Sequence, residues 1–190
     1  SDDKYKVTTP PPPLLIESPT TEQTSILIKW NDVDGAESYE VDVSLESNNF
    51  NPNLINYNSK SVNNNSLKVV GLTAGQNYIY RIRAVNDCGI SENSITGNDC
   101  TAPPTPTNVR TSSATPNSFN VLWNSAGSGI KYIFDLSKSE TMSPLIDNYA
   151  GIELSNTSIS LSNLQEKTEY YFRVRSSNGD CGKSPYSSMA

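Results

Sequence analysis

The clearest alternation of apolar and polar positions lies between Gly71 and Gly89, where Tyr78, Tyr80, Ile82 and Ala84 fall on every second residue with Arg81 and Arg83 between them. That period predicts a half-buried β-strand. It recurs between Asn163 and Gly182, where Tyr170, Phe172, Val174 and Ser176 share a face opposite Arg173 and Arg175. In each copy a leucine, Leu72 or Leu164, stands six residues ahead of the first tyrosine, and each run ends in Asn, Asp, Cys and Gly. Such residues make turns, so each strand is expected to lead into a hairpin loop.

The repeat extends well beyond these runs. Trp30 and Trp123, Tyr39 and Tyr132, and Cys88 and Cys181 are each 93 residues apart, while Tyr57 and Tyr149, and Pro52 and Pro144, are 92 apart. A constant offset marks two copies of one structural unit. Within the first copy, Ile26, Ile28 and Trp30 are expected to face inward on a strand from Glu22 to Trp30, followed by a loop at Asn31–Gly35. Tyr39, Val41 and Val43 point inward on the next strand, with Glu40 and Asp42 outward, where they can form cross-strand ion pairs with Arg81 and Arg83. Asn48–Asn65 offers one short edge strand near Ile55–Val62, and Ser66–Val70 is a strand with Leu67 and Val69 inward. The second copy repeats this order with Phe119, Val121 and Trp123, then Tyr132, Phe134 and Leu136, then Ile159 and Leu161; its last strand is expected to be cut short.

Between the copies, Cys100-Thr101-Ala102-Pro103-Pro104-Thr105-Pro106 reads as a short, stiff connection. The expected division is therefore 1–9 as a leader or the tail of a preceding module, 10–100 as one domain and 101–190 as the other. Tyr5 and Val7 offer a short strand in the leader, and Pro10–Pro13 favours an extended, unpaired conformation.

An order of seven short strands, with a tryptophan ending the second, a tyrosine opening the third and Leu-x5-Tyr before the sixth, resembles the fibronectin type III domain. The stretches that carry the resemblance are W-N-D-V-D-G-A-E-S-Y (30–39), G-L-T-A-G-Q-N-Y (71–78) and R-I-R-A-V-N-D-C-G-I-S (81–91), with W-N-S-A-G-S-G-I-K-Y and E-Y-Y-F-R-V-R-S-S-N in the second copy. It implies an all-β chain of two tandem immunoglobulin-like antiparallel sandwiches. The structural core would contain Trp30, Tyr39, Leu72 and Tyr78 in one copy and Trp123, Tyr132, Leu164 and Tyr170 in the other. Leu72/Tyr78 and Leu164/Tyr170 look like the family's tyrosine corner, in which the phenol bonds to upstream backbone. The segments F-N-P-N-L-I-N-Y (50–57) and M-S-P-L-I-D-N-Y (142–149) are similar to repeats in secreted surface proteins of Bacteroidetes-type bacteria. No Arg-Gly-Asp occurs, so the integrin-binding loop of some family members does not carry over.

Composition changes the picture mainly by exclusion. Lys+Arg 14 against Asp+Glu 20 leaves a net charge of −6, which argues against a nucleic-acid partner. No apolar run is long enough for membrane insertion. The chain has no histidine, which removes Ser-His-Asp and Cys-His catalysis and the common zinc sets. Asp32-Val33-Asp34-Gly35 opens like a calcium loop but lacks the later acidic ligand, and it reads as a solvated loop. Asn64-Asn65-Ser66 and Asn156-Thr157-Ser158 match the glycosylation sequon in a chain rich enough in Asn and Ser to produce such matches by chance. Tyr57, Tyr149, Tyr171 and Tyr186 are the aromatics left for a sugar platform, with partial burial against an edge strand the plainer fate.

These readings lead to no enzyme, no cofactor and no metal site. The expected function is a non-catalytic module, secreted or at the cell surface, serving as spacer, display stalk or adhesion element of a larger chain with flanking domains. An accessory module of a secreted enzyme and a receptor-type ligand-binding pair are the alternatives. The partner is an unidentified protein or glycan.

Three cysteines leave one over. Counting strand directions, the Cys88 and Cys181 loops lie at the entry ends of their domains and Cys100 at the far end of the first. A strand of about six residues sets Cys88 and Cys100 roughly 20 Å apart, beyond the roughly 7 Å that a disulfide spans. Cys100 immediately precedes the second domain and so is expected beside the entry end that holds the Cys181 loop, which makes Cys100 and Cys181 the expected pair, with Cys88 awaiting a partner upstream; three free thiols or a Cys88–Cys100 bridge are the alternatives. The pair would imply an oxidising compartment.

Overall fold

The computed structural model describes residues 8–17 and 22–188; the strand expected at Tyr5 and Val7 lies outside them. The chain divides into two compact units, Ser1–Thr101 and Ala102–Ala190. Every strand pairing is antiparallel, and no α-helix occurs among the described residues.

In the first unit the strands are β1 (Leu15–Ile16), β2 (Ser25–Trp30), β3 (Ser38–Leu45), β4 (Lys60–Val62), β5 (Ser66–Val70), β6 (Asn77–Asn86), β7 (Gly89–Ile90) and β8 (Gly97–Cys100). One sheet runs β1-β2-β5; the other runs β4-β3-β6-β7, with β8 also on β6. The alternating residues meet between the sheets: Ile26, Ile28 and Trp30 from β2, Val41 and Val43 from β3, Val69 from β5, and Tyr78, Tyr80, Ile82 and Ala84 from β6 form one buried cluster. Trp30 packs edge-on against Tyr39, ring centroids 5.3 Å apart, the offset geometry that aromatic quadrupoles favour.

The second unit repeats the plan with β9 (Arg110–Thr115), β10 (Ser118–Leu122), β11 (Lys131–Ser137), β12 (Ile152–Leu154), β13 (Ser158–Leu161) and β14 (Tyr171–Ser177). Its sheets are β13-β10-β9 and β12-β11-β14. Trp123 meets Tyr132 edge-on at 5.5 Å, and Phe134 stacks between Trp123 and Phe172.

Pro10–Pro13 lie in no strand, and just beyond them Leu15 lies opposite Trp30 and Ile16 opposite Lys29. Three expectations are corrected. The edge strand shrinks to β4, because Ile55–Tyr57 forms a 3-10 turn and Ser59 holds a positive φ that extended backbone excludes. The second copy's long strand begins at Tyr171 rather than Tyr170. Asp42, expected to face water, is 2 % exposed; its outward position on β3 is covered by the arginines it pairs with.

Past the β6 and β14 hairpins the returning chain is pinned by serines. Ser91 and Ser94 donate backbone N–H groups to the Ala84 and Ile82 carbonyls, both at 2.8 Å, while their hydroxyls accept the Ala84 and Ile82 N–H groups at 2.9 and 3.0 Å. Ser184 and Ser187 repeat this against Ser176 and Val174. Each hydroxyl stands in for a missing ladder carbonyl, so buried donors stay satisfied where the strand departs from regular pairing.

Each unit carries its own core, so residues 10–100 and 101–190 are expected to fold when expressed apart, with near-ultraviolet circular dichroism and amide dispersion as the measurements. Trp30→Ala and Trp123→Ala should each cost roughly 3–5 kcal/mol in chemical denaturation through the cavity left behind.

Candidate functional site

The repeated chemistry of each unit centres on a covered aspartate. Asp42 on β3 lies opposite Arg81 on β6; its Oδ2 receives Arg81 Nε at 2.9 Å and an Arg83 terminal nitrogen at 3.3 Å, and its Oδ1 accepts the Ser59 N–H at 2.7 Å. Arg83 also reaches Glu40 at 3.0 Å. In the second unit Asp135 receives Arg173 Nε at 2.9 Å and the Gly151 N–H at 2.8 Å. A carboxylate this enclosed is tolerated because each oxygen is paired. Burial pushes the Asp135 carboxyl up, but the Gly151 N–H, the Arg173 guanidinium and the Tyr186 hydroxyl together hold it below its ordinary value. The Tyr186 phenol is raised in turn by burial and by its bond to Asp135.

Phenols close the loops. Tyr78 accepts the Thr73 N–H at 2.9 Å and Tyr170 the Gln165 N–H at 2.7 Å, the geometry of a tyrosine corner. Tyr39 and Tyr132 accept the Val33 and Ala126 N–H groups. Tyr57 and Tyr149 accept the Val70 and Ser162 N–H groups at 2.8 and 3.1 Å, so two tyrosines held back for sugar contact are committed to backbone. Tyr57 is buried, and Tyr149, Tyr171 and Tyr186 are half-buried.

Leu72 and Tyr78 are buried, whereas their counterparts Leu164 and Tyr170 are partly exposed. In the first unit β8 pairs with Asn77–Tyr80, and the Thr101 hydroxyl accepts the Gln76 N–H and donates to the Thr73 carbonyl. No described strand does the same beside Tyr170, and a hollow of about 380 Å³ opens there, lined by Phe119, Leu164 and Tyr170 among others. The close fit of β8 also explains Gly97, where a Cβ would drive into the Tyr80 ring and Leu15.

Cys100 and Cys181 are disulfide-bonded, and Cys88 is an exposed free thiol in the β6–β7 turn. Asp32 and Asp34 are both exposed in their loop. Asn64 and Asn156, the first residues of the two sequon matches, are exposed in the turns before β5 and β13. Among the described residues no three His, Cys, Asp or Glu side chains gather as a metal set, and no helix is long and apolar enough to cross a membrane. Sequence reasoning missed Asp135, Gly151 and the serine pins; the recurrence of Asp42 at Asp135 and of Ser91-x-x-Ser94 at Ser184-x-x-Ser187 is the signal that finds them.

Two antiparallel sandwiches in tandem, each with a tryptophan core and a tyrosine corner, define an immunoglobulin-like module pair. The fibronectin type III domain family matches residues 10–97 and again 103–190, and the chain belongs to that family. A two fibronectin type III domain segment from chicken tenascin superposes with a TM-score of 0.50 at 18% identity, covering 96% of this chain and 98% of that one. The chicken CNTN1 FN1–FN3 domains give a TM-score of 0.44 at 16% identity over 96% of this chain and 67% of theirs. In sequence, the striated-muscle M-protein of Gallus gallus is 35% identical over 92 residues, which is 46% of this chain and 6% of that protein. This chain thus spans a small part of that relative.

The depressed Asp135 carboxyl sets a pH dependence. A carboxylate whose pKa is lower folded than unfolded stabilises fully above the unfolded value of about 3.9 and loses that contribution as pH falls through the folded value. Thermal melts of residues 101–190 should therefore lose stability below about pH 4. Asp135→Asn should cost about 1.5–3 kcal/mol at neutral pH and flatten the acid limb.

Proposed function

We propose that the chain is a non-catalytic extracellular tandem module that spaces, displays or attaches other parts of a larger secreted or surface protein. The observation that carries this reading is the bonded state of Cys100, the last residue of β8, and of Cys181, with Cys88 left free. A disulfide at the end of the first sandwich's last strand belongs in an oxidising compartment. Pairing with Cys181 would fasten the proline-rich connection to the second domain and limit bending between modules. Closing a loop of that length contributes about 4.5 kcal/mol in the chain-entropy model.

The paired or half-buried state of the aromatics favours a polypeptide over a glycan partner. A secreted surface protein of Bacteroidetes-type bacteria, whose repeats 50–57 and 142–149 resemble, is the kind of parent chain this reading expects. The division proposed is 10–100 and 101–190 as the two modules, with 1–9 as leader or the tail of a preceding one.

Peptide mapping without reductant should yield a Cys100–Cys181 cross-linked pair and an alkylatable Cys88. A Cys88–Cys100 bridge, or three alkylatable thiols in the native protein, would overturn the stiffened stalk. Small-angle scattering before and after reduction should show a broader distribution of lengths in the reduced chain.

A further inference from the structure

The outer face of the β12-β11-β14 sheet differs in charge from the matching face of the first unit, and the difference centres on Arg175. Its counterpart Arg83 has one terminal nitrogen, Nη2, occupied by Glu40, Asp42 and the Ser59 hydroxyl. Arg175 lies opposite Ile133, which stands where the first unit has Glu40, and no described carboxylate lies within 4.0 Å of its guanidinium. The Nε of both arginines is buried without a hydrogen-bond partner, so the distinction lies in the terminal nitrogens.

Two further cations join it. Lys131 and Lys183 flank Ser177 from its two sides, where Ser38 and Ile90 flank Val85 in the first unit. Ladder partners share a face, and so do alternate residues of one strand, so Lys131, Lys183 and Arg175 project from the same side. Glu153 is the nearby acid, 3.8 Å from Lys131 in a pair more than half exposed on both sides, a geometry that contributes little. The Tyr186 ring carries the guanidinium carbons of Arg173 at 3.9 Å and Arg175 at 4.4 Å, and Arg173 is already neutralised by Asp135. Pro185 stands where the first copy has Glu92, which removes an acid from the same edge, and Tyr186 stands where it has Asn93. A cationic patch on a chain of net charge −6 is a local feature.

We propose that this face of the second unit binds a carboxylate-rich polypeptide segment, whose carboxylate reaches the Arg175 guanidinium and substitutes for the one that Glu40 supplies to Arg83. Arg175 and the lysines beside Ser177 are two strand positions apart, about 6.6 Å, the period of side chains on one side of an extended peptide. Tyr186 is engaged by two guanidinium groups instead of lying open for stacking on a sugar. The site does not depend on whether the pair serves as a spacer.

The test is titration of the isotope-labelled full chain with a synthetic oligoglutamate peptide, read by amide shifts. The expected result is saturable perturbation at Lys131, Ile133, Arg175 and Lys183, weakened by salt, with the matching face of the first unit unmoved. Ile133→Glu, which supplies the internal carboxylate of the first unit, should weaken binding roughly tenfold. Lys183→Ile, at an exposed position, should also weaken it and serves if Ile133→Glu disturbs the fold. Equal perturbation of both units, unchanged affinity in the variants or no saturation would overturn the proposal. Tighter binding of oligogalacturonate would overturn it in favour of an acidic glycan. Concentration-dependent self-association covering the same amides without peptide would overturn it by assigning the face to a second copy of this chain.

Discussion

A sandwich of short strands depends on satisfying the backbone N–H groups where its strands end, because each one left orphaned near the core forfeits roughly what a buried hydrogen bond is worth, about 1–3 kcal/mol. Here the solution is the phenol. Three tyrosines in each unit send their rings into or against the core and present their oxygens to loop or strand-end N–H groups at Val33, Val70 and Thr73, and at Ala126, Ser162 and Gln165. One side chain thereby supplies apolar area and a fixed acceptor together. The loops on which a binding surface could be built are held to the same frame in both copies.

The outer face of the sheet that contains β3 in one unit and β11 in the other obeys a second constraint, that a covered carboxylate must have both oxygens paired. Asp42 and Asp135 meet it in the same way, through an arginine Nε on the neighbouring strand and a backbone N–H from the residue just before the edge strand. That shared network leaves the surrounding positions free to diverge. Around Arg83 they retain acids that neutralise it; around Arg175 they become Ile133, Lys131 and Lys183. The copies share a scaffold and differ in the charge it displays, which is how one fold comes to serve different contacts.

Much of the fold was legible from periodicity. Alternation placed Trp30, Val41, Val43, Tyr78 and Ile82 in the first core and Val121, Tyr132, Phe134 and Val174 in the second, because strand geometry alone sends alternate side chains to opposite faces. The repeat offset then doubled every reading. β1 was not legible, since two residues after a proline run carry no period. The 3-10 turn at Ile55–Tyr57 was not legible either, since Tyr57 is committed by an acceptor role toward Val70 that lies outside its own segment.

By itself, then, the sequence determined the all-β class, the two copies and the identity of the inward-facing set, all consequences of local period and internal repetition. Tertiary structure decided which outward residues are in fact covered and which charges stay unanswered. Asp42 reads as a surface acid in the one-dimensional pattern and becomes buried only when Arg81 and Arg83 are laid across it from β6. Arg175 reads like Arg83 and is left without an acid only because the register brings Ile133 opposite it. Charge pairing across a sheet depends on which strand lies alongside and in what register, and no single strand encodes that.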